Sequence, residues 1–175
     1  MNPICDTNRP YVDLGLSVLW SSCNLMASCP QERGIYHALA WGDDLTRRGI
    51  PVQTPNNPMG CDEGWRKPTR SEFEELFLCC ELYWGDYLGT TGLTAISKVY
   101  PNKHIFLPTT GWLDLDGSTH DEGKCLYWTS DPYKYDHNFA WSFQFDEKHK
   151  QCAYKYTGYG YCIRPVLERR LIAHE

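Results

Sequence analysis

After residue 69 the apolar positions take on a helical period, and this stretch predicts the best-defined element of the chain. Phe73, Leu76, Phe77 and Cys80 fall at i, i+3, i+4 and i+7, one apolar stripe on a helix. Thr69 and Glu72 form a capping box at its start, each side chain satisfying a backbone N–H of the first turn. Pro68 at N′ and Phe73 at N4 are spaced for a hydrophobic staple, and the helix is expected to end by Gly85. An apolar stripe requires a surface to pack on and implies nothing further.

Elsewhere the segments are shorter. Residues 1–10 carry no periodicity and read as a disordered lead-in. Residues 11–14 and 16–20 predict two short β-segments interrupted by Gly15. Pro30 suits the first position of a brief helical turn, with Glu32 in that turn and Gly34 at its end. Residues 35–41 return to an extended apolar run. Residues 42–64 are rich in Pro and Gly and predict a long surface loop. A mixed Gly/Thr region at 85–100 precedes a buried strand over 105–108, and Asp114, Leu115, Asp116 and Gly117 mark a tight turn. Phe139, Trp141, Phe143 and Phe145 alternate with Ala140, Ser142 and Gln144, the period of a strand. A polar turn at 146–150 then predicts a hairpin into 152–156. Many short strands with one or two helices argue an α+β fold with a mostly antiparallel sheet. The expected organisation is one domain over 11–167, followed by a charged tail at 168–175.

Composition narrows the functional classes. A net charge of −5 without a dense Lys/Arg cluster argues against nucleic-acid binding. The apolar runs are shorter than a membrane span, and residues 1–20 lack a signal-peptide layout, so no direct membrane insertion is expected. Nine cysteines are an odd number: bridges plus one leftover thiol in an oxidising compartment, or buried reduced side chains in a reducing one. Their spacings, Cys23 to Cys29 and vicinal Cys79 and Cys80 among them, match no zinc template. Neither a metal nor a cofactor is expected.

Six blocks, in order, carry a resemblance. Residues 65–76, from Trp65-Arg66-Lys67-Pro68-Thr69 to Leu76, resemble the W-R-L-P-T-x-x-E-W-E-x-L segment of the Fibrobacter succinogenes major paralogous domain family. Residues 11–24 are similar to its Y-V-D-L-G-L-x-V-x-W-A-x-C-N start. Residues 36–42 resemble its Y-F-A-W-G block, with His37 and Leu39 as departures. Residues 105–112, 123–130 and 160–166 resemble I-F-L-P-A-A-G-Y, G-x-Y-W-S-S and G-F-S-V-R-P-V. The resemblance implies a C-type-lectin-like fold: a twisted, mostly antiparallel sheet with two flanking helices and long loops. Related modules include sugar-binding lectins, formylglycine-generating enzymes and the variable proteins of diversity-generating retroelements, phage or bacterial receptors with a hypermutated C-terminal segment. A bacterial cell surface, secreted protein or phage particle is the implied setting. Oligomeric state stays open.

Seven of the twelve tyrosines fall within 127–161. Tyr offers a large amphipathic contact surface with few rotors, which suits a binding face. The expected ligand-binding residues are Asp131, Tyr133, Tyr135, Asp136, His137, Asn138, Trp141, Lys148, His149, Lys155, Tyr156 and Tyr159. An ordinary hairpin with exposed Tyr is the competing reading. Asp114, Asp116, Asp121 and Glu122 could offer oxygen ligands to calcium, but a Gly directly after the second Asp does not fit an EF-hand, so a solvated turn is expected. Cys152 and Cys162 lie where formylglycine-generating enzymes keep a catalytic pair, yet the surrounding motif is missing, and no catalytic residue is assigned. Trp20, Trp65 and Trp128 are expected in the core, and Arg66 and Arg164 on buried carboxylates or carbonyls. The functional expectation is a non-catalytic, receptor- or adhesin-type protein for a protein or glycan ligand on a cell surface. A fixed polysaccharide-binding module without diversification is the alternative, and a thiol enzyme a third.

Overall fold

The computed structural model describes residues 10–39 and 64–169. The lead-in up to residue 9, the turn-rich loop through residue 63 and the tail from residue 170 lie outside the described residues.

The ends of the domain close on each other. Strands β1 (Tyr11–Val12) and β2 (Val18–Ser21) form a sheet with β12 (Val166–Glu168) and β3 (Trp65–Arg66), in the order β1-β2-β12-β3. The helix α1 (Arg70–Cys79) follows β3. Its capping box is present: Thr69 Oγ1 accepts from the Glu72 N–H at 3.1 Å, and the Glu72 carboxylate accepts from the Thr69 N–H at 2.7 Å. Phe73 and Leu76 are buried. The helix ends before Gly85, because Cys80 is already extended (φ −109, ψ 158) and opens strand β4 (Cys80–Tyr87). Cys80 is buried as the stripe required, but from a strand.

The Gly/Thr region at 85–100 is a hairpin. β4 pairs in register with β5 (Thr90–Ser97) through the two-residue loop Leu88 and Gly89, and β5 pairs with β6 (His104–Pro108). Gly92 is required where β5 meets β6, since a Cβ there would lie 2.3 Å from the Leu107 carbonyl oxygen. Two short strands, β7 (Trp112–Leu113) and β8 (Thr119–His120), flank the expected turn, where the Gly117 N–H donates to the Asp114 carbonyl at 3.1 Å. The last sheet has the order β11-β10-β9, from β9 (Cys125–Pro132), β10 (Phe139–Phe145) and β11 (Lys150–Tyr156).

The expected α+β architecture with two flanking helices is corrected by these elements. Strand accounts for 46% and helix for 8%, in four small antiparallel sheets, so the protein is mostly β. Among the described residues α1 is the one α-helix. The segment after Pro30 makes only a turn, the Glu32 N–H donating to the Cys29 carbonyl at 3.2 Å. Gly34 ends it at φ +77, where a Cβ would meet the Leu25 carbonyl at 2.3 Å. Five residues between such constraints cannot meet the cost of nucleating a helix.

Two cores hold the sheets together. In the first, Phe73 of α1 stacks on Phe143 at 4.8 Å and meets Trp20 at 5.3 Å. In the second, Trp128 stacks on Tyr161 at 4.6 Å among Leu25, Leu126 and Ile163, with Trp65 packed at its edge. Arg164 is fully buried between them. It donates to the carbonyls of Phe106 (2.5 Å) and Ser21 (3.0 Å) and to Asn24 Oδ1 (2.8 Å). Arg66 pairs with Glu72 and Glu168. Cys23, Cys29, Cys79, Cys80, Cys125, Cys152 and Cys162 are all free thiols.

Candidate functional site

Strand β10 builds the site because one of its faces serves two purposes. Phe143 and Phe145 lie in the first core, where Phe77 of α1 packs on both at 5.2 and 5.0 Å. Trp141 and Phe139, on the same face, are only half-buried. The opposite face, with Ala140, Ser142 and Gln144, is buried as well, so the alternation separates two packed surfaces rather than core from solvent.

Register supplies the neighbours. Tyr154 of β11 lies opposite Trp141, and Tyr156 opposite Phe139. The β9 pairing slips between Ala140 and Ser142, and beyond Pro132 the chain returns over the sheet. Tyr133 thereby stacks on Tyr154, with centroids 4.3 Å apart and planes within 15°. It also meets Tyr135 (5.5 Å), Trp141 (5.8 Å) and Phe139 (6.4 Å) edge-on. The ring contacts continue from Phe139 to Tyr156 (6.2 Å), Tyr156 to Tyr159 (5.7 Å), Tyr159 to Trp112 (4.7 Å) and Trp112 to His120 (4.8 Å). Nine rings form one unbroken belt, all at separations favourable for aromatic pairs. Tyr135 is 75% exposed and Tyr154 50%.

Charged groups cap the belt. The Arg70 guanidinium lies 4.2 Å above the Trp141 ring, and the Lys134 ammonium 4.7 Å above Tyr135. Asp131 Oδ2 accepts from the Arg70 backbone N–H at 2.7 Å, so this carboxylate sits at the N-terminus of α1 and holds the helix to β9. Asp136 Oδ1 accepts from both the backbone and the side-chain amide of Asn138, each at 2.9 Å. His137 is exposed beside them.

The twelve expected residues therefore divide. Tyr133, Tyr135, Trp141, Tyr156 and Tyr159 are belt members, while Asp131, Asp136 and Asn138 shape the backbone that carries it, next to His137. Lys155 pairs with Ala140 and faces the other side of the sheet, near Asp121. The Asp121 carboxyl is held below its usual range by Lys124 above all, against burial, with help from the Trp112 indole N–H and weakly from Lys155. Lys148 and His149 do not join. Their N–H groups both donate to Asp146 Oδ1 in the turn at the far end of the hairpin, about 20 Å from Tyr156 at the rise of a strand. Phe139, Tyr154, Trp112, His120 and Arg70 were not foreseen. The hairpin register would have found the first two, since both occupy the alternation already recognised.

The remaining candidates are local. Asp114 accepts from the Leu115 N–H and lies 3.3 Å from His120, Asp116 accepts from Ser118, and Glu122 accepts from Thr119, all within one turn. Burial pushes the Cys162 thiol up to about 12 and raises Cys152. Cys152 and Cys79 line an open groove of about 470 Å³ with Arg70, Ser71, Glu74 and Leu78. Set against known protein families, curated proteins and solved structures, the chain matches none.

Proposed function

We infer that this chain is a non-catalytic, receptor- or adhesin-type protein whose aromatic belt engages a protein or glycan on a cell surface. The observation that carries the reading is the belt itself: nine contacting rings, partly exposed and mounted on a strand whose other half is core. Large side chains already held by their neighbours lose little entropy on contact, so their burial contributes nearly in full to affinity. Arg70 and Lys134 add orientation and polar specificity. The ordered blocks resembling the Fibrobacter succinogenes major paralogous domain family support a binding role. The raised thiols of Cys152 and Cys162 argue for binding over thiol catalysis, because the reactive thiolate is disfavoured at both.

Protein and glycan arrays probed with the whole chain test this. A ligand retained by the parent should be lost about tenfold or more in the Tyr133→Ala and Trp141→Ala variants, the loss characteristic of central aromatic anchors. Lys148→Ala and His149→Ala, at the far turn, should bind within about twofold of the parent. Equal retention by all four variants would refute the belt as the site.

A further inference from the structure

The belt runs along an open strand edge, and the two together define what fits. β11 is the outer strand of its sheet, and among the described residues no strand pairs with its free edge. Its sequence, Lys150 to Tyr156, contains two lysines and no carboxylate. A basic edge repels a second copy of itself and selects for an acidic partner. Its two faces also differ. Cys152, Tyr154 and Tyr156 point to the belt side, whereas Gln151, Ala153 and Lys155 point to the other.

The carboxylates around the belt are already engaged. Asp131 is held by the start of α1, Asp136 by Asn138, and Asp121 by Lys124 and Trp112. The groups left facing outward are phenol hydroxyls, the Arg70 and Lys134 cations and the electropositive ring edges. The ring faces, by contrast, are occupied: Tyr133 and Tyr154 cover each other, Arg70 covers Trp141 and Lys134 covers Tyr135. A sugar stacks on a free ring face, so this surface is poorly suited to one.

The geometry points to an extended polypeptide of alternating acidic and apolar residues, which adds to the free edge of β11 as a further strand. Its main chain hydrogen-bonds to β11, its apolar side chains lie beside Tyr154 and Tyr156, and its carboxylates lie beside Lys155. This rests on the belt being the binding face and names its partner class.

The test is fluorescence anisotropy of the intact chain with labelled acetyl-Val-Glu-Val-Glu-Val-Glu-Val-amide. Saturable binding is expected. Replacing Glu by Lys, or N-methylating alternate backbone amides, should weaken it by about tenfold or more. Lys155→Glu should invert the preference towards the Lys peptide. Equal affinity for both peptides, indifference to N-methylation, equally tight binding of oligogalacturonate, or occupation of the edge by a second copy at high concentration would each overturn the proposal. If the acidic peptide fails to bind while an array ligand is still lost with Tyr133→Ala, the edge inference falls and the belt reading stands. If Tyr133→Ala leaves the array ligand bound, both fall.

Discussion

Two buried side chains dominate at the scale of single residues. Arg164 carries its charge into the interior, where carbonyl and amide oxygens, not a carboxylate, receive it among the described residues. Arg164→Met fills similar space but leaves the Phe106, Ser21 and Asn24 oxygens without their donor. It should cost about 4 kcal/mol, read from the shift in urea midpoint at constant slope. His37 lies 1% exposed, its backbone paired with Tyr161 and its carbonyl accepting from the Trp128 indole at 2.6 Å, while neither ring nitrogen has a partner. Burial first, and the Lys67 charge second, lower its pKa from 6.5 to about 4. A base with a depressed folded pKa resists protonation only in the folded state. Its stability is therefore complete above about pH 6.5 and declines as the pH falls towards 4, by about 3 kcal/mol in all. Urea titrations at pH 7 and pH 4 should show this loss, and His37→Leu should remove that part of it. An unchanged pH dependence in the variant would assign it elsewhere.

At the scale of elements, what was legible in the sequence depended on how local its cause was. The start of α1 could be read residue by residue because Thr69, Glu72, Phe73 and Leu76 interact within one another's reach. Its end could not, because what stops it is β4 pairing with β5, a contact invisible until the hairpin exists. The β4–β5 hairpin was hidden for a related reason. Leu88 occupies the first position of its two-residue loop at φ 51, followed by Gly89 at φ 86, a pattern that normally advertises itself with Asn-Gly. An exposed Leu in that conformation is strained, so Leu88→Asn should stabilise the protein by about 1 kcal/mol. Thermal unfolding checks this, and a lower midpoint would show that the Leu88 side chain has a packing role. The candidate site was half legible. The density of Tyr pointed to the right hairpin, but nearness in sequence put Lys148 and His149 in the same set as Tyr133, although the strands carry them to opposite ends. Trp112 and His120 come from β7 and β8, which no local pattern links to the hairpin.

The whole molecule is organised by two cores sharing one set of strands. The expected second helix came from resemblance, not from any apolar stripe among the described residues, and it is the part of the architecture that did not form. What formed instead gives β10 a buried half and a displayed half, and this division has a consequence for change over generations. The rings of Tyr133, Tyr135 and Tyr154 touch one another, Phe139 and Trp141, and none of them touches a member of either core. Substitutions at such surface positions shift stability by only about 0.5 kcal/mol. The chain can accordingly acquire a new specificity by replacing these residues while its capacity to fold is passed on intact, recognition and foldability being heritable separately.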